Sequence, residues 1–230
     1  VTRPFRRGEP WGRAASGPPD VEVAGDDAAL AAAATRRRGA LVRFRPSPRS
    51  DLALALGLPS AGVGSTEVAV DVLAVEANTG AVDAAGVNVV NAVNAVVLGP
   101  APDRLRWGAR AAPLSVTVDG RRWFSGRATT VVVANGQFLR GADVVPRGHP
   151  GDGWAEVQVY ALTRRERRPM RRRLATGTHV PHPRVHGGRA RRVEVEVPGR
   201  GLPLEVDDRP QGRTDRLVAT LVPGAIRLLL

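Results

Sequence analysis

ARRVEVEVPG, residues 190–199, alternates without a fault: Val193, Val195 and Val197 fall on one side, Arg192, Glu194 and Glu196 on the other. A period of two belongs to a strand with one face buried and the other in water. Pro198-Gly199 then supplies the stop. The same signature recurs in TEVAVDVLAVEA (66–77), LSVTVDG (114–120), RRWFSG (121–126), ATTVVVANG (128–136), WAEVQVYAL (154–162) and LPLEVDD (202–208). Asp119-Gly120 between two of these runs predicts a hairpin. Many short strands separated by turn residues predict a β-sandwich or barrel. RLVATLVPGAIRLLL (216–230) reads as a buried pair of strands around Pro223-Gly224. NVVNAVNAVVLG (88–99) is open between two readings: Asn88, Asn91 and Asn94 would share one helical face, yet the segment also suits a strand.

Ahead of the strands the pattern is different. VEVAG (21–25) predicts a strand, DDAALAAAATRRR (26–38) a helix, GALVRFRP (39–46) a second strand and SDLALALGLP (50–59) a second helix. Ser50 is placed to cap that last helix, Gly57 to end it, and Pro59 lies just beyond. The fold class is therefore α+β. Residues 1–20 form an irregular lead-in rich in Pro, Gly and Arg, 21–62 a short α/β unit, and 63–230 a mainly antiparallel β-sandwich.

The chain has 230 residues and is 43% apolar, enough to bury a sizeable core. No apolar run approaches the ~18 residues of a membrane-spanning helix, and the arginine-bearing first residues lack a secretory h-region. The absence of cysteine excludes disulfides and thiolate metal sites and suits a cytoplasmic protein, with a peripheral position at a membrane as the other option. Thirty-four basic residues against twenty-two acidic ones give +12, and all the basic ones are arginine. Codon bias explains such a composition as well as an anionic partner does; a lipid or anionic membrane surface ranks ahead of nucleic acid as that partner. Nine aromatic residues in the whole chain disfavour a base-stacking platform. Without lysine, no lysine-dependent phosphate loop is available.

Several segments, in order, resemble the lipid kinases typified by bacterial diacylglycerol kinases and sphingosine kinases. AGDDA (24–28) stands where that family has a GGDGT corner, and SPRSDLALALGLP (47–59) where it has a GTGND-type loop and helix. ATTVVVANGQFLRGADVVPRGHPGDGWAEVQVY (128–160) is similar to its strand, Asn-Gly turn, acidic loop and following strand. LEVDDRPQG (204–212) sits at its DGE triplet. The resemblance implies a nucleotide-binding α/β unit, here beginning after the family's first strands. A lipid-holding β-sandwich follows it, with the active site between the two. It also implies ATP-dependent phosphorylation of a lipid hydroxyl, with ATP and Mg²⁺ as cofactors.

Phosphoryl transfer needs a phosphate cradle, a metal and a base. The resemblance puts nucleotide contacts at Gly25, Asp26, Ser50 and Asp51, a structural Mg²⁺ at Asp152, and the base at the last residue of the triplet. The departures matter. Asp27 replaces a cradle glycine, Ser47-Pro48-Arg49 has lost two more, and the base position holds Arg209. A guanidinium stays charged at neutral pH and cannot take a proton. Asp207 and Asp208 are the remaining candidates, displaced along the turn. Two readings stay open: a divergent lipid kinase, and a non-catalytic pseudokinase scaffold that binds lipid or an anionic membrane. Asp26 or Asp27 also suits a plain helix cap.

Two other clusters stand out. His179, His182 and His186 invite a zinc reading, but Pro181 and Pro183 break any helix that would align them, and unligated loop histidines are the better reading. Residues 164–173 hold seven arginines. Thr163 and Glu166 form a capping-box signature there, and Pro169 is expected to kink or interrupt the helix.

Overall fold

The computed structural model describes residues 12–58, 65–78 and 88–230. The Pro59 stop, the 62/63 boundary and most of the lead-in fall outside them. In chain order the elements are β1 (Arg13–Ala14), β2 (Val21–Gly25), α1 (Asp27–Arg36), β3 (Leu41–Pro46), α2 (Asp51–Leu56), β4 (Thr66–Ala77), β5 (Asn88–Ala92) and β6 (Ala95–Leu98). There follow β7 (Ala112–Val118), β8 (Arg121–Ala128), β9 (Thr130–Ala134), β10 (Phe138–Leu139), β11 (Ala142–Asp143), β12 (Ala155–Tyr160) and α3 (Arg167–Leu174). The chain ends with β13 (Val185–Ala190), β14 (Arg192–Glu196), β15 (Leu202–Val206), β16 (Arg209–Thr214) and β17 (Arg216–Leu229).

Two sheets make the sandwich. The first runs β1-β4-β17-β14-β7-β8, with β5 on β4 and the parallel pair β2-β3 joined through β17; the second runs β13-β12-β9-β6-β15-β16. The valine alternation does its work between them: Val193 and Val195 of β14 meet Val131 and Val133 of β9 and Val157 and Val159 of β12 in one core. Strand β4 serves two cores from opposite faces. Leu73, Val75 and Ala77 enter the sandwich, whereas Val70 and Val72 pack with Leu30 of α1 and Leu52 of α2. Burying such side chains contributes ~1.5–3 kcal/mol each.

Local signals behave as their chemistry requires. Asp119 and Gly120 both take positive φ, 47° and 79°, in the hairpin turn between β7 and β8. Ser50 caps α2, and Gly57 ends it in the left-handed region. The 88–99 segment resolves into two strands in different sheets, with the crossover at Val93-Asn94.

Three expectations are corrected. The closing segment is one strand rather than a pair about Pro223-Gly224: β17 pairs with β4 from Leu217–Ala77 through to Leu229–Glu67, interrupted by an irregularity between Val222 and Ile226. Proline has no amide to give the ladder, so the interruption falls on it. Gly224 N donates to the buried Asp71 at 2.7 Å, pinning the irregularity so that the strand resumes in line. In α3, Pro169 is the third helical residue and produces no break. The helix starts at Arg167 with Glu166 as its N-cap, so Thr163 does not cap it in the way the capping-box signature predicts, and proline falls in the first turn where its missing N–H costs nothing.

Candidate functional site

Between α1, α2 and the β15–β16 turn lies a cleft of about 540 Å³. Asp26, Ser50, Asp51, Asp207, Asp208 and Arg209 all line it, so nearly all the residues singled out for nucleotide and base chemistry meet in one place. Gly25 lies just behind at φ 138°, and a Cβ there would come to 3.0 Å from that of Ala29, which leaves glycine the only comfortable residue. Asp152 lies elsewhere, near Asp71.

The cleft's carboxylates are engaged by the protein itself. Asp26 caps α1, accepting from the Ala29 amide at 3.2 Å. Its other oxygen is paired with Arg209 at 2.5 Å, closing the space between the two motifs. Asp27, only 5% exposed, does not serve α1. It reaches to the start of α2, where its Oδ2 accepts from the Asp51 and Leu52 amides at 3.1 Å each and its Oδ1 accepts from the Ser50 hydroxyl. Ser50 Oγ in turn accepts the Ala53 amide at 3.0 Å. Burial, with the charge of Asp207 nearby, pushes the Asp27 carboxyl up to about 8 against the opposing pull of Ser50 and the Leu52 amide.

Asp51 accepts from the Arg140 and Gly141 amides and so anchors the β10–β11 turn to α2. Burial raises its pKa and those two amides oppose the rise. Asp207 and Asp208 form the two-residue turn between β15 and β16, both at positive φ, 44° and 61°. Asp207 is buried beneath it and accepts three amides, Val93 at 2.8 Å, Asn94 at 3.0 Å and Ala95 at 2.9 Å, which fastens the crossover between the sheets. Its carboxyl is raised to about 6 by burial, with the three amides pulling the other way.

Asp208 faces Arg140 at 2.6 Å. That arginine also holds Asp103 through two bonds, at 2.9 and 2.6 Å, and Glu205 through Nη1. Burial by itself would lower the Arg140 pKa; Asp103, Glu205 and Asp208 more than reverse it. Sequence reading missed Arg140 entirely. Its partners lie 37 to 68 residues away, and its one local sign is Gly141 following it in a turn.

A phosphate cradle needs uncommitted N–H groups; at the start of α2 they are filled, and at α1 Asp26 takes the Ala29 amide. Asp27 occupies the amides at the start of α2 with its own carboxyl oxygens, as a bound anion would. Five aspartates against four arginines line the cleft, with no excess of cation to draw a triphosphate. These residues do not fit an ATP phosphate chain.

The Mg²⁺ position is likewise committed. Asp152 Oδ1 accepts from the Trp154 amide at 3.0 Å, and Oδ2 faces Arg189 at 3.5 Å. Glu156 binds the same guanidinium at 2.5 Å. Asp71 accepts from the Gly153 and Gly224 amides at 2.7 Å each. Mg²⁺ demands near-octahedral oxygen ligands; here one arginine already supplies the positive charge to both outer carboxylates. Among the described residues no group of three or more His, Cys, Asp or Glu converges on a metal-sized site. His179 is buried, and His186 lies against Phe124 at 5.0 Å. Adding Mg²⁺ or EDTA is expected to move the melting temperature by less than about 1 °C; a rise of several degrees with Mg²⁺ would show that Arg189 yields to the ion.

A family model described as the YegS C-terminal NAD kinase beta sandwich-like domain matches residues 105–230, more than half of the chain. The chain belongs to this YegS-type family. Likeness to solved structures extends over 91% of it. A diacylglycerol kinase structure from Bacillus anthracis str. Sterne superimposes with a TM-score of 0.69 at 17% identity, over 91% of this chain and 76% of that one. Yeast NADH kinase, in its complex with NADH, gives 0.51 at 11% identity, over 91% and 61%. At such identity these likenesses establish the kinase-type fold and leave the chemistry to the residues. No curated protein sequence matches the chain. The family match covers the sandwich strands from β7 onward, including the Asp207-Asp208-Arg209 turn and Arg140 with its partners Glu205 and Asp208, but not Asp103.

Proposed function

We propose that this protein is a lipid-kinase-family scaffold in which ATP-dependent phosphorylation of a lipid hydroxyl has been lost, leaving a protein that engages lipid or an anionic membrane surface without turnover. One observation carries the reading: Asp27 fills the start of α2 with its own carboxyl oxygens, at 3.1 Å from both amides. A phosphate arriving there would have to displace a buried, hydrogen-bonded group. The position that the family resemblance assigns to the base holds Arg209, tied to Asp26. General-base assistance is typically worth ~10²–10⁴ in rate, and its loss compounds that of the cradle.

The competing reading, transfer with Asp208 as base, has one observation in its favour: the side chain is 36% exposed at the cleft and burial raises its pKa. Its Oδ1 is nevertheless held by Arg140 at 2.6 Å, which stabilises the ionised form without freeing it to move.

Magnesium-ATP at a hundred times the dissociation constant of a working site would add ~2.7 kcal/mol of stability. The expected result is no thermal shift and no radiolabel transferred to diacylglycerol in mixed micelles. Arg209→Glu is expected to leave transfer at background, because the cradle stays filled. Transfer by the parent protein would overturn the proposal.

A further inference from the structure

The arginine run is unused by the cleft, and its surroundings give it a direction. On α3 the apolar stripe Met170 and Leu174 is buried with Leu105, Leu139 and Tyr160, on the outer side of the second sheet. The opposite side carries Arg168, Arg171, Arg172 and Arg173, all exposed, and Arg164 and Arg165 stand exposed in the turn before the helix. Among the described residues none of these six has an ion-pair partner. Glu166, the acid in their midst, is engaged by Thr163 and by Arg184 at 3.3 Å. Arg167 alone turns inward, donating to the carbonyl of Arg106 at 3.2 Å and of Trp107 at 2.5 Å. Those bonds seat the 106–107 segment against the first turn of α3, and Trp107 on that segment is 61% exposed.

A solvated helix surface explains the arginines but not the tryptophan. A large, exposed apolar residue on the segment seated against a helix whose exposed arginines have no ion-pair partner among the described residues is the pairing that suits a bilayer interface. There arginine meets anionic headgroups and tryptophan sits at their level. Position supports this as well. Just before Leu105, Asp103 binds Arg140 at 2.6 Å and Arg104 lines the cleft. The basic surface therefore adjoins the cleft mouth.

We propose that α3, the preceding turn and Trp107 form a docking face for an anionic bilayer, set so that the cleft opens toward lipid headgroups. It rests on the lipid partner proposed above and not on the loss of catalysis.

The test uses the full chain, without ATP, and vesicles of phosphatidylcholine alone or mixed with phosphatidylserine. The expected result is sedimentation with the mixed vesicles only, weakened by salt. Brominated lipid should quench a tryptophan signal that disappears in Trp107→Phe. Each arginine at such a surface adds about five-fold to partitioning, so the triple variant Arg168→Gln, Arg171→Gln, Arg172→Gln should bind roughly 100-fold more weakly with an unchanged melting temperature. Unchanged vesicle binding by that variant overturns the proposal, as does absence of quenching at Trp107. So does tighter binding to duplex DNA than to mixed vesicles, which would make the surface a phosphate-backbone site. A positive ATP assay with failed vesicle binding would overturn the cleft reading and this one separately.

Discussion

Arg140→Met will destabilise the fold by about 3–5 kcal/mol at neutral pH, the usual cost of removing one partner from a buried charge cluster. The side chain is only 13% exposed and is the common partner of Asp103, Glu205 and Asp208. Methionine keeps much of the volume, so the loss reports charge rather than packing. Three carboxylates, 18–36% exposed, would then face one another without their shared cation, at the junction where residues 102–104, the β10–β11 hairpin and the β15–β16 turn meet. Chemical denaturation measures the effect. The penalty should shrink as pH is lowered, since protonated carboxyls no longer repel. Arg104→Met is the control: its side chain is 65% exposed and sits 3.8 Å from Asp103, so its loss should cost under ~1 kcal/mol. Equal effects for the two variants would mean that the Arg140 cluster does not hold this end of the fold.

Asp27 gives the second large effect, through pH. Its folded pKa of about 8 lies above its ordinary value of 3.8. The folded state therefore holds a proton that the unfolded chain has released, and its stabilising contribution is complete below about pH 4. That contribution is lost as pH rises toward 8. The slope is about 1.4 kcal/mol per pH unit at most, which puts the loss between pH 5 and 8 on the order of 3 kcal/mol. Asp71 and Asp207, both raised to about 6, add in the same direction between about pH 4 and 6. Asp27→Asn mimics the protonated carboxyl, accepting from the two amides while donating to Ser50. It should match the parent at pH 5 and exceed it at pH 8. A parent protein that gains stability between pH 5 and 8 would refute this assignment. Asp27→Gly is expected to lose about 2–3 kcal/mol by stranding the Asp51 and Leu52 amides, with part of the loss recovered in phosphate buffer once that site is vacated.

The candidate site is half legible in the sequence. AGDDA and DDR could be recognised as altered motifs because chain order preserves them, and they do converge on the cleft. What each aspartate does there was not legible. Asp26 or Asp27 reads as the cap of the alanine helix; Asp26 takes that role, while Asp27 caps the start of α2, 24 residues away. Asp207 reads as a base candidate, whereas its oxygens hold amides more than 110 residues earlier.

By itself the sequence determined what depends on near neighbours. Valine alternation sets the strands, because a two-residue period decides which face is buried. Ser50, Gly57 and Asp119-Gly120 set caps and a turn, because each acts on backbone within a few residues. Tertiary structure alone decided the rest. Pro223 interrupts β17 without ending it because Asp71 of β4 holds the irregularity, Arg140 became a hub because three distant turns deliver acids to it, and the carboxylates of the cleft are spent. A hydrogen bond or ion pair is set by distance in space, and only the packed sheets bring those groups within 3 Å of one another.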